Sequence, residues 1–272
     1  MATPLGNPGD LSPRAREVLA TVDGILAEDT RRAGQLLARC GIAPPPFTSL
    51  HDHNEEARLA QVLGWLNEGK NLALVSDAGT PLLSDPGYRL VRACRTERIR
   101  VSPVPGPSAP IAALSASGLP PQPFVFLGFL PRKKAERRSL LAAYTDLPAT
   151  LIFFERKDRL EDSLADALAV LGSREVCIAR ELTKTYEDFL LFPLEEYASV
   201  GTGLLGEITV LLGPPSSGLR SSLDEVDAVL EEEMAVGGKA RELARRAQAK
   251  LCGWNGKELY KRLQDMQEET GR

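Results

Sequence analysis

Small and polar residues follow an apolar run in the stretch 72–86, which reads LALVSDAGTPLLSDP. The apolar run predicts a strand buried on both faces, and the residues after it predict a loop that leads into a helix. In open α/β sheets such loops gather at the carboxyl ends of strands, where ligands bind. Gly79 would let the backbone approach a ligand closely, and the hydroxyl of Thr80 can donate and accept hydrogen bonds. The stretch therefore predicts a ligand-binding loop, although its composition also fits an ordinary connection between a strand and a helix.

The residues around this loop predict two helix starts. Asp85 is the expected N-cap of the helix that follows, and Pro86 is its expected first residue. A second glycine-containing loop follows a predicted strand at 99–101, and Ser108 is the expected cap of a helix over 109–117. The free N–H groups of that helix would form a pocket that favours anions.

Two histidines, His51 and His53, alternate in the sequence and are the only histidines of the chain. Such a pair could ligate a metal ion, but no third ligand is evident, and we therefore predict no metal site. We expect the segment to be a loop that precedes a helix and lines the ligand site.

A run of cations lies near the middle of the chain, after a predicted strand at 124–127. Five basic residues fall within seven positions: Arg132, Lys133, Lys134, Arg137 and Arg138. Most charge runs are solvated helix faces, but this one stands beside a loop in an acidic protein. It therefore predicts a contact with phosphate groups, with the solvated face as the alternative.

The composition excludes several classes of protein. The 272 residues carry a net charge of −4, with 43% hydrophobic and 26% charged residues, as in an ordinary globular protein. No apolar run is long enough to span a membrane, and the first residues do not resemble a signal peptide. The four cysteines have no metal-ligand spacing, which is typical of reduced, buried thiols in a cytoplasmic protein: Cys40, Cys94, Cys177 and Cys252.

The order of elements predicts two α/β domains and a helical segment. Strands and helices alternate over residues 1–120, and a GLPP turn marks the boundary. Over residues 121–215, two late strands follow one another without a helix, which predicts a mixed sheet. Residues 158–161, DRLE, fit a capping box for a helix of this second domain. Over residues 216–272 we expect a linker and a small helix-turn-helix segment, which could be a packing hairpin or a nucleic-acid reader.

Eight stretches taken together resemble one family. They are TPLGNPGD, LAEDTRR, HDHNE, LVSDAGTPLLSDPG, PVPGPSAPIAALSASGLP, GFLPRKK, IFFERKDRL and ARELTKTYE. In this order they resemble the ribosomal RNA small subunit methyltransferases of type I, 2′-O-ribose methyltransferases of the tetrapyrrole methylase superfamily. The resemblance implies a two-domain fold with S-adenosyl-L-methionine in the cleft between the domains, and a homodimer. It also implies methylation of a cytidine ribose in the decoding region of 16S ribosomal RNA, within the small ribosomal subunit and in the cytoplasm.

The resemblance also implies which residues bind the cofactor. They lie in three loops of the first domain and, with a less secure alignment, in the second domain: Pro4, Gly6, Ser76, Asp77, Gly79, Thr80, Leu83, Gly106, Ser108, Ala109, Phe154, Glu155, Glu181 and Thr209. The family has a full apolar strand before the first loop, whereas only Met1 to Thr3 precede it here. We therefore expect either a start further upstream or a first domain that lacks this strand.

Ribose methylation needs a base that removes the hydroxyl proton, and the sequence does not single one out. Candidates in the matched motifs are Glu28, Asp29, Glu181 and Lys184, each of which could equally cap a helix or form an ion pair. Two other functions fit the sequence less well. One is methylation of a tetrapyrrole, and the other is a non-enzymatic regulator that binds nucleic acid through the C-terminal helices.

Overall fold

The computed structural model describes residues 1–43, 45–199, 206–215, 221–251 and 254–270. In chain order its helices are α1 (Pro13–Thr21), α2 (Thr30–Arg39), α3 (Glu55–Asn67), α4 (Tyr88–Thr96), α5 (Ala109–Ala116), α6 (Lys134–Ala142), α7 (Leu160–Leu171), α8 (Leu223–Val236), α9 (Ala240–Gln248) and α10 (Gly256–Thr270). Its strands are β1 (Gly24–Ala27), β2 (Phe47–Ser49), β3 (Leu72–Val75), β4 (Phe124–Phe129), β5 (Thr150–Glu155), β6 (Glu175–Arg180), β7 (Asp188–Pro193) and β8 (Ile208–Leu212). Part of the predicted linker, together with Cys252, lies outside the described residues.

The first domain contains a parallel sheet in the order β2–β1–β3. The central strand β1 is buried along its whole length, as its apolar residues require. Its Ile25 packs in a cluster with Leu19 of α1 and Leu37 of α2. The carboxyl ends of β1 and β3 lie side by side, because Ala27 pairs with Val75. The loops after these two strands therefore begin at the same edge of the sheet.

The first residues of the chain lie beside β3 and join it to the segment that follows α4. The amino group of Met1 donates to Leu74 O at 2.9 Å, and Ala2 N donates to Val104 O at 3.1 Å. Burial lowers the pKa of the Met1 amino group. These contacts place the first glycine-containing loop directly beside the loop that follows β3.

Residues 99–101 do not form a strand, and this prediction was wrong. Carbonyl groups of this part of the chain accept hydrogen bonds from arginine side chains. Arg95 donates to Val101 O at 3.3 Å, and Arg14 donates to Pro103 O at 3.0 Å. The apolar pattern does not reveal whether a neighbouring strand is available for pairing.

The second domain contains a mixed sheet in the order β4–β5–β8–β6–β7, as the sequence predicts. β4 and β5 are parallel, whereas β8 is antiparallel to both β5 and β6. One face of the sheet packs on α6 and α7, with Phe153 and Val210 in the core. The opposite face packs on α5 of the first domain, where Ala113 and Leu114 contact the cluster around Ile152. Helix α5 therefore ties the two domains together, while boundaries at residues 120 and 215 stay a prediction.

The C-terminal helices α8, α9 and α10 share a core of their own. Leu230, Leu243, Leu259 and Leu263 are buried together in it. The indole of Trp254 donates to Ser221 O at 2.8 Å, which links the start of the last helix to the start of α8. None of the described helices is both long and apolar enough to cross a membrane.

Two predicted helix starts differ from the structure. Helix α4 begins at Tyr88 rather than Pro86, and its N-cap is Gly87 rather than Asp85. Gly87 has φ +118°, a conformation that glycine adopts without strain. The carboxylate that serves this helix comes from another element, since Glu55 Oε1 accepts a hydrogen bond from Leu90 N at 2.9 Å.

The capping box predicted at 158–161 does not form. The N-cap of α7 is Arg159, and no side chain bonds to the helix start. Asp158 instead lies 3.4 Å from the guanidinium of Arg156. An ion pair with a neighbour has replaced the cap, so the sequence pattern alone was misleading.

Arg137 of the basic run is buried, and it serves the second domain as a structural residue. Its guanidinium donates to Asp166 Oδ2 at 2.8 Å, and Asp166 itself is 2% exposed. Arg138 contacts the other oxygen of Asp166 at 2.6 Å, and these arginines hold the pKa of Asp166 below its usual value although burial raises it. The phosphate contact predicted for Arg137 is therefore not supported, because its donors are directed to Asp166 and to backbone carbonyls.

We predict that Arg137→Ala destabilises the protein by about 2–3 kcal/mol, because it removes a charged hydrogen-bond partner from a buried carboxylate. Arg138 still neutralises Asp166, which limits the loss. The matched control is Arg132→Ala, an exposed arginine of the same run, for which we expect a change within about 0.5 kcal/mol. Urea unfolding measures both, and equal stability of the two variants would contradict the structural role.

Candidate active site

A cleft of about 590 Å³ lies between the two domains, at the carboxyl ends of β1 and β3. The loops after these strands and the start of α5 form one wall. The ends of β4 and β5 and the start of β8 form the other. The lining residues are Leu5, Glu28, Arg32, Asp77, Ala78, Gly79, Thr80, Leu83, Ser84, Asp85, Ser108, Ala109, Pro110, Phe129, Phe154, Glu155, Arg156, Lys157, Asp158, Leu182, Gly206, Glu207, Ile208 and Thr209.

Most residues predicted to bind the cofactor line this cleft. They are Asp77, Gly79, Thr80, Leu83, Ser108, Ala109, Phe154, Glu155 and Thr209. Ser76 lies behind the loop after β3, where its hydroxyl donates to Gly79 O at 3.1 Å. The remaining predicted residues, Pro4, Gly6, Gly106 and Glu181, are not among those that line the cleft.

Gly79 joins the three predicted cofactor loops. Its N–H and C=O exchange hydrogen bonds with Thr3, at 3.0 Å and 2.9 Å. It has φ +76°, and an added Cβ would lie 3.0 Å from Leu5 Cδ2 and 3.8 Å from Pro107 O. The next residue, Thr80, donates to Pro107 O at 3.0 Å. Glycine is therefore needed at position 79 for its backbone conformation and for the close packing of the loops. This is a more specific reason for the glycine than the close approach of a ligand.

The first loop supports the cleft from behind and also contacts the second domain. Asn7 N donates to Thr183 Oγ1 at 3.1 Å. Gly6 lies against the aliphatic part of Lys184, which leaves no room for a Cβ. Gly106 packs on Ala2, since an added Cβ would lie 3.0 Å from the Ala2 methyl group. These glycines are sites of close packing between segments.

Ser108 offers an unused polar atom to the cleft. It is the N-cap of α5, but its side chain makes no cap hydrogen bond. Its Oγ is buried, and within the described residues it has no hydrogen-bond partner. A buried hydroxyl without a partner costs free energy, so a bound ligand at this position would satisfy it.

Large apolar side chains lie on both walls of the cleft, Leu83 on the first domain and Phe129 and Phe154 on the second. Phe129 is 55% exposed and Leu83 is 42% exposed, although both are large and apolar. The rings of Phe129 and Phe154 are 5.4 Å apart between centroids. Exposed apolar groups that line a concave site indicate a ligand with an apolar or aromatic part.

Three carboxylates face the cleft from the first domain: Glu28, Asp77 and Asp85. Asp77 is neutralised by Arg32, at 2.8 Å, and accepts a hydrogen bond from Asp29 N at 3.3 Å. Burial raises the pKa of Glu28, and the charge of Asp77 adds to the rise. Burial also raises the pKa of Asp85, to about 7, with additions from Glu28 and Asp77, while a hydrogen bond with Ser76 opposes it.

Of the predicted base candidates, only Glu28 lines the cleft. Asp29 caps α2 and pairs with Arg31, whose hydrogen bonds lower the pKa of Asp29 to about 2. Glu181 and Lys184 bind each other at 3.0 Å. A hydrogen bond from Glu207 N and the Lys184 contact lower the pKa of Glu181. These partners make Asp29, Glu181 and Lys184 poor proton acceptors at neutral pH.

The loop with the two histidines lies near the acidic wall but does not line the cleft. Asp52 raises the pKa of Glu28 and His51 lowers it, which places both near that carboxylate. His51 N donates to Asn54 Oδ1 at 2.8 Å. Within the described residues, no group of three or more potential metal ligands is found.

Several lining residues were missed by the sequence analysis. Asp85 was assigned to a helix cap, and Phe129 stood only in the motif GFLPRKK, after the predicted strand at 124–127. Arg156 and Lys157 stand in the quoted motif IFFERKDRL, but no role was given to them. Two cations directly after a strand end were the signal that could have identified them.

A second concave surface, the basic groove, lies in the second domain. It has a volume of about 310 Å³ and is lined by Arg132, Lys134, Arg137, Arg138, Arg159, Asp162, Ala165 and Asp166. Five cations there face two carboxylates, although the whole chain carries −4. Arg159 also donates to Leu130 O at 2.9 Å. The turn 156–159 separates the groove from the cleft, because Arg156 to Asp158 line the cleft and Arg159 lines the groove.

Comparisons with known proteins agree with this architecture. The family model "Tetrapyrrole (Corrin/Porphyrin) Methylases" matches residues 2–198. Ribosomal RNA small subunit methyltransferase I of Escherichia coli O157:H7 is 56% identical, over 71% of this chain and 68% of that protein. The protein of the same name from Mesorhizobium japonicum is 43% identical, over 100% of this chain and 92% of that protein.

Solved structures of low identity show the same fold. The methyltransferase CobJ has a TM-score of 0.59 and 18% identity, and the match covers 80% of this chain and 92% of that one. The uroporphyrin-III C-methyl transferase from Thermus thermophilus, complexed with S-adenyl homocysteine, has a TM-score of 0.54 and 18% identity, and the match covers 76% and 93%.

The fold class and the family predicted from the sequence motifs are confirmed. The names of the relatives favour the ribosomal RNA enzyme over a tetrapyrrole methylase and over a non-enzymatic regulator. The chain therefore belongs to the tetrapyrrole methylase family and, within it, to the S-adenosylmethionine-dependent ribosomal RNA small subunit methyltransferase I group.

Proposed function

We propose that the cleft transfers a methyl group from S-adenosyl-L-methionine to the 2′-oxygen of a cytidine ribose in the decoding region of 16S ribosomal RNA. The observation that carries this proposal is the cleft itself, in which loops joined at Gly79 face an aromatic wall and a set of carboxylates. The substrate is the RNA or the assembled small ribosomal subunit, and the location is the cytoplasm, where those subunits are found. A homodimer stays a prediction.

The residues of the cleft fit the cofactor. The unpartnered Ser108 hydroxyl and the backbone of the Gly79 loop offer hydrogen bonds. Phe129, Phe154 and Leu83 offer an apolar surface that suits an adenine ring. The carboxylates of the first domain attract a cationic ligand, and S-adenosyl-L-methionine carries a sulfonium charge.

The chain itself has two tasks in the reaction. When bound, the cofactor supplies an already activated methyl group, so the protein must align the acceptor oxygen and receive its proton. The two domains meet across the cleft, and α5 packs on the sheet of the second domain, which fixes both walls relative to one another. Such preorganisation favours an in-line approach of the ribose oxygen.

The basic groove supports the RNA part of the proposal. Arg132, Lys134 and Arg138 present charge there, and Arg156 and Lys157 extend this charge to the mouth of the cleft. Lys133 is more exposed and pairs with Glu136 at 3.0 Å. A strand of RNA could therefore keep its phosphates on the second domain while one ribose enters the cleft.

The direct test is transfer of labelled methyl from S-adenosyl-L-methionine to small ribosomal subunits and to naked 16S RNA, with mapping of the product. We expect one 2′-O-methylated cytidine in the decoding region. Uroporphyrinogen serves as the competing acceptor, and methylation of that compound in place of RNA would contradict the proposal.

We predict that Gly79→Ala weakens binding of S-adenosyl-L-methionine about tenfold, which corresponds to about 1.4 kcal/mol. The cost arises because φ +76° is unfavourable for alanine and because the new methyl group would meet Leu5. The matched control is Gly64→Ala, at a helical position where an added Cβ meets nothing within 4 Å. Calorimetry should find the affinity of the control unchanged, and an unchanged affinity of Gly79→Ala would remove that loop from the cofactor site.

We predict that the double variant Lys134→Ala, Arg138→Ala binds 16S RNA more weakly and with less dependence on salt. Each lost contact with a single strand should lower the slope of log affinity against log salt by about 0.7. The control is Arg92→Ala with Arg100→Ala, two exposed cations of the first domain that line neither the cleft nor the groove. An equal change of slope in the control would show that only net charge matters.

A further inference from the structure

Asp85 lies on a turn with an unfavourable backbone. Leu82 has φ +73° and Ser84 has φ +67°, a region that residues other than glycine rarely occupy. Two such residues within three positions cost free energy, and they persist only where surrounding contacts hold them. Strain of this kind is often found at functional sites.

Contacts from both domains hold this turn. Gly128 of β4 approaches so closely that an added Cβ would lie 2.9 Å from Ser84 Oγ. On the other side, an added Cβ at Gly87 would lie 2.5 Å from Leu74 Cδ2. The turn is therefore fixed between β3 and β4, and the carboxyl group of Asp85 lines the cleft.

The structure leaves the carboxyl group of Asp85 available. It does not cap α4, because Gly87 is the N-cap and Glu55 binds Leu90 N. Within the described residues it forms no ion pair, whereas Asp77 pairs with Arg32, and Glu155 lies 3.4 Å from Arg159. Glu155 also accepts a hydrogen bond from the Ser163 hydroxyl at 2.6 Å.

The charged groups around Asp85 come from several elements. Glu28 follows β1, Asp77 follows β3, and Asp52 lies in the loop before α3, and all three act on Asp85 as like charges. Arg32 of α2 forms an ion pair with Asp77, and its charge also opposes the rise in the pKa of Glu28. His51 acts on Glu28, and the hydroxyl of Ser76 binds Asp85. Across the cleft, Arg156 and Lys157 line the second wall, but neither forms an ion pair with Asp85.

We propose that Asp85 is the catalytic base that accepts the proton of the ribose 2′-hydroxyl, an inference that rests on the proposed function. As the 2′-oxygen forms its bond to the methyl carbon, the bond from that carbon to sulfur breaks and its electron pair stays on sulfur. The hydroxyl proton passes to the carboxylate of Asp85 and later to water. The positive charge of the sulfonium and the negative charge of the carboxylate disappear in the same step.

The proton affinity of Asp85 suits this role. An acceptor is most effective when its pKa is near the working pH, and burial with like charges brings Asp85 to about 7. An ordinary exposed aspartate would be a much weaker acceptor. The rate of methyl transfer should therefore rise with pH up to about 7 and level off above it.

The experiment compares Asp85→Asn, Asp85→Glu and Glu28→Gln with the wild type, using small ribosomal subunits over pH 5.5 to 9. We expect Asp85→Asn to lose about 100-fold or more in kcat and to lose the rise near pH 7. Asp85→Glu should recover part of the rate, because a carboxylate is present again. Glu28→Gln should keep the rise with pH but move it to lower pH, since it leaves Asp85 in place and removes one of the like charges that raise the pKa of Asp85.

Binding of the cofactor distinguishes a base from a group that only attracts the sulfonium. Because Asp85 is one of the carboxylates that attract the sulfonium, Asp85→Asn should weaken S-adenosyl-L-methionine by no more than about threefold relative to the product S-adenosylhomocysteine, which lacks the sulfonium charge, and this is far less than the loss in kcat. A selective loss of S-adenosyl-L-methionine affinity that accounts for the lost rate would overturn the assignment. The assignment would also be overturned if the rate of methyl transfer by Asp85→Asn still rose with pH, or if this rise were lost only in Glu28→Gln.

Stability gives a measurement that is independent of activity. Between about pH 4 and pH 7 the folded state keeps a proton on Asp85 that the unfolded state has released, so the wild type loses stability as the pH rises through this range. The asparagine variant has no such proton. The difference in melting temperature, Asp85→Asn minus wild type, should therefore increase from about pH 4 to pH 7 and stay constant above it. A constant difference would contradict the environment assigned to Asp85.

The outcomes separate this inference from the proposed function. If the wild type does not transfer methyl groups, the proposed function itself is overturned. If the wild type is active and Asp85→Asn is equally active, this inference alone is overturned.

Discussion

The reciprocal hydrogen bonds between Thr3 and Gly79 are the constraint on which the active site depends. Thr3 is buried, so its backbone groups must find partners within the protein. They find them in a residue whose φ of +76° suits glycine. This one pairing places Leu5 at the cleft and brings the loop after β3 to the start of α5, where Thr80 binds Pro107 O. Three segments that are distant in the sequence thereby form one wall of the cleft, where we propose that the cofactor binds.

The second wall is tied to this surface at several points around the cleft. Helix α5 packs by Ala113 and Leu114 on the sheet of the second domain, although it belongs to the first. Asn7 binds Thr183, and an added Cβ at Gly128 would lie 2.9 Å from Ser84 Oγ. Because interiors are closely packed, contacts of this kind transmit small displacements from one wall to the other. The relative position of the two walls of the cleft is therefore a property of the interface between the domains.

The sequence predicted features that depend on local chemistry. Strand β3 lies in the predicted apolar run, Ser108 is the N-cap of α5 as expected, and Asp29 caps α2. Most of the residues predicted to bind the cofactor also line one cleft. The failures depend on contacts distant in sequence. Asp85 followed by Pro86 is a normal helix start, and nothing local reveals that Glu55 serves that helix instead. Arg137 and Arg138 look alike in the sequence and both bind Asp166, 29 residues away from Arg137, but only Arg137 is buried.

The distribution of charge explains how an acidic protein can act on RNA. The carboxylates Glu28, Asp77 and Asp85 lie on the first domain, whereas Arg156, Lys157 and the basic groove lie on the second. Phosphates are repelled by the first wall and attracted by the second, so the backbone of a bound strand is favoured on the second domain. In the proposed reaction, a ribose that enters the cleft from that side would present its hydroxyl group toward the carboxylates, which would also attract the sulfonium. The same separation of charge would keep the phosphates of the RNA away from the cationic cofactor.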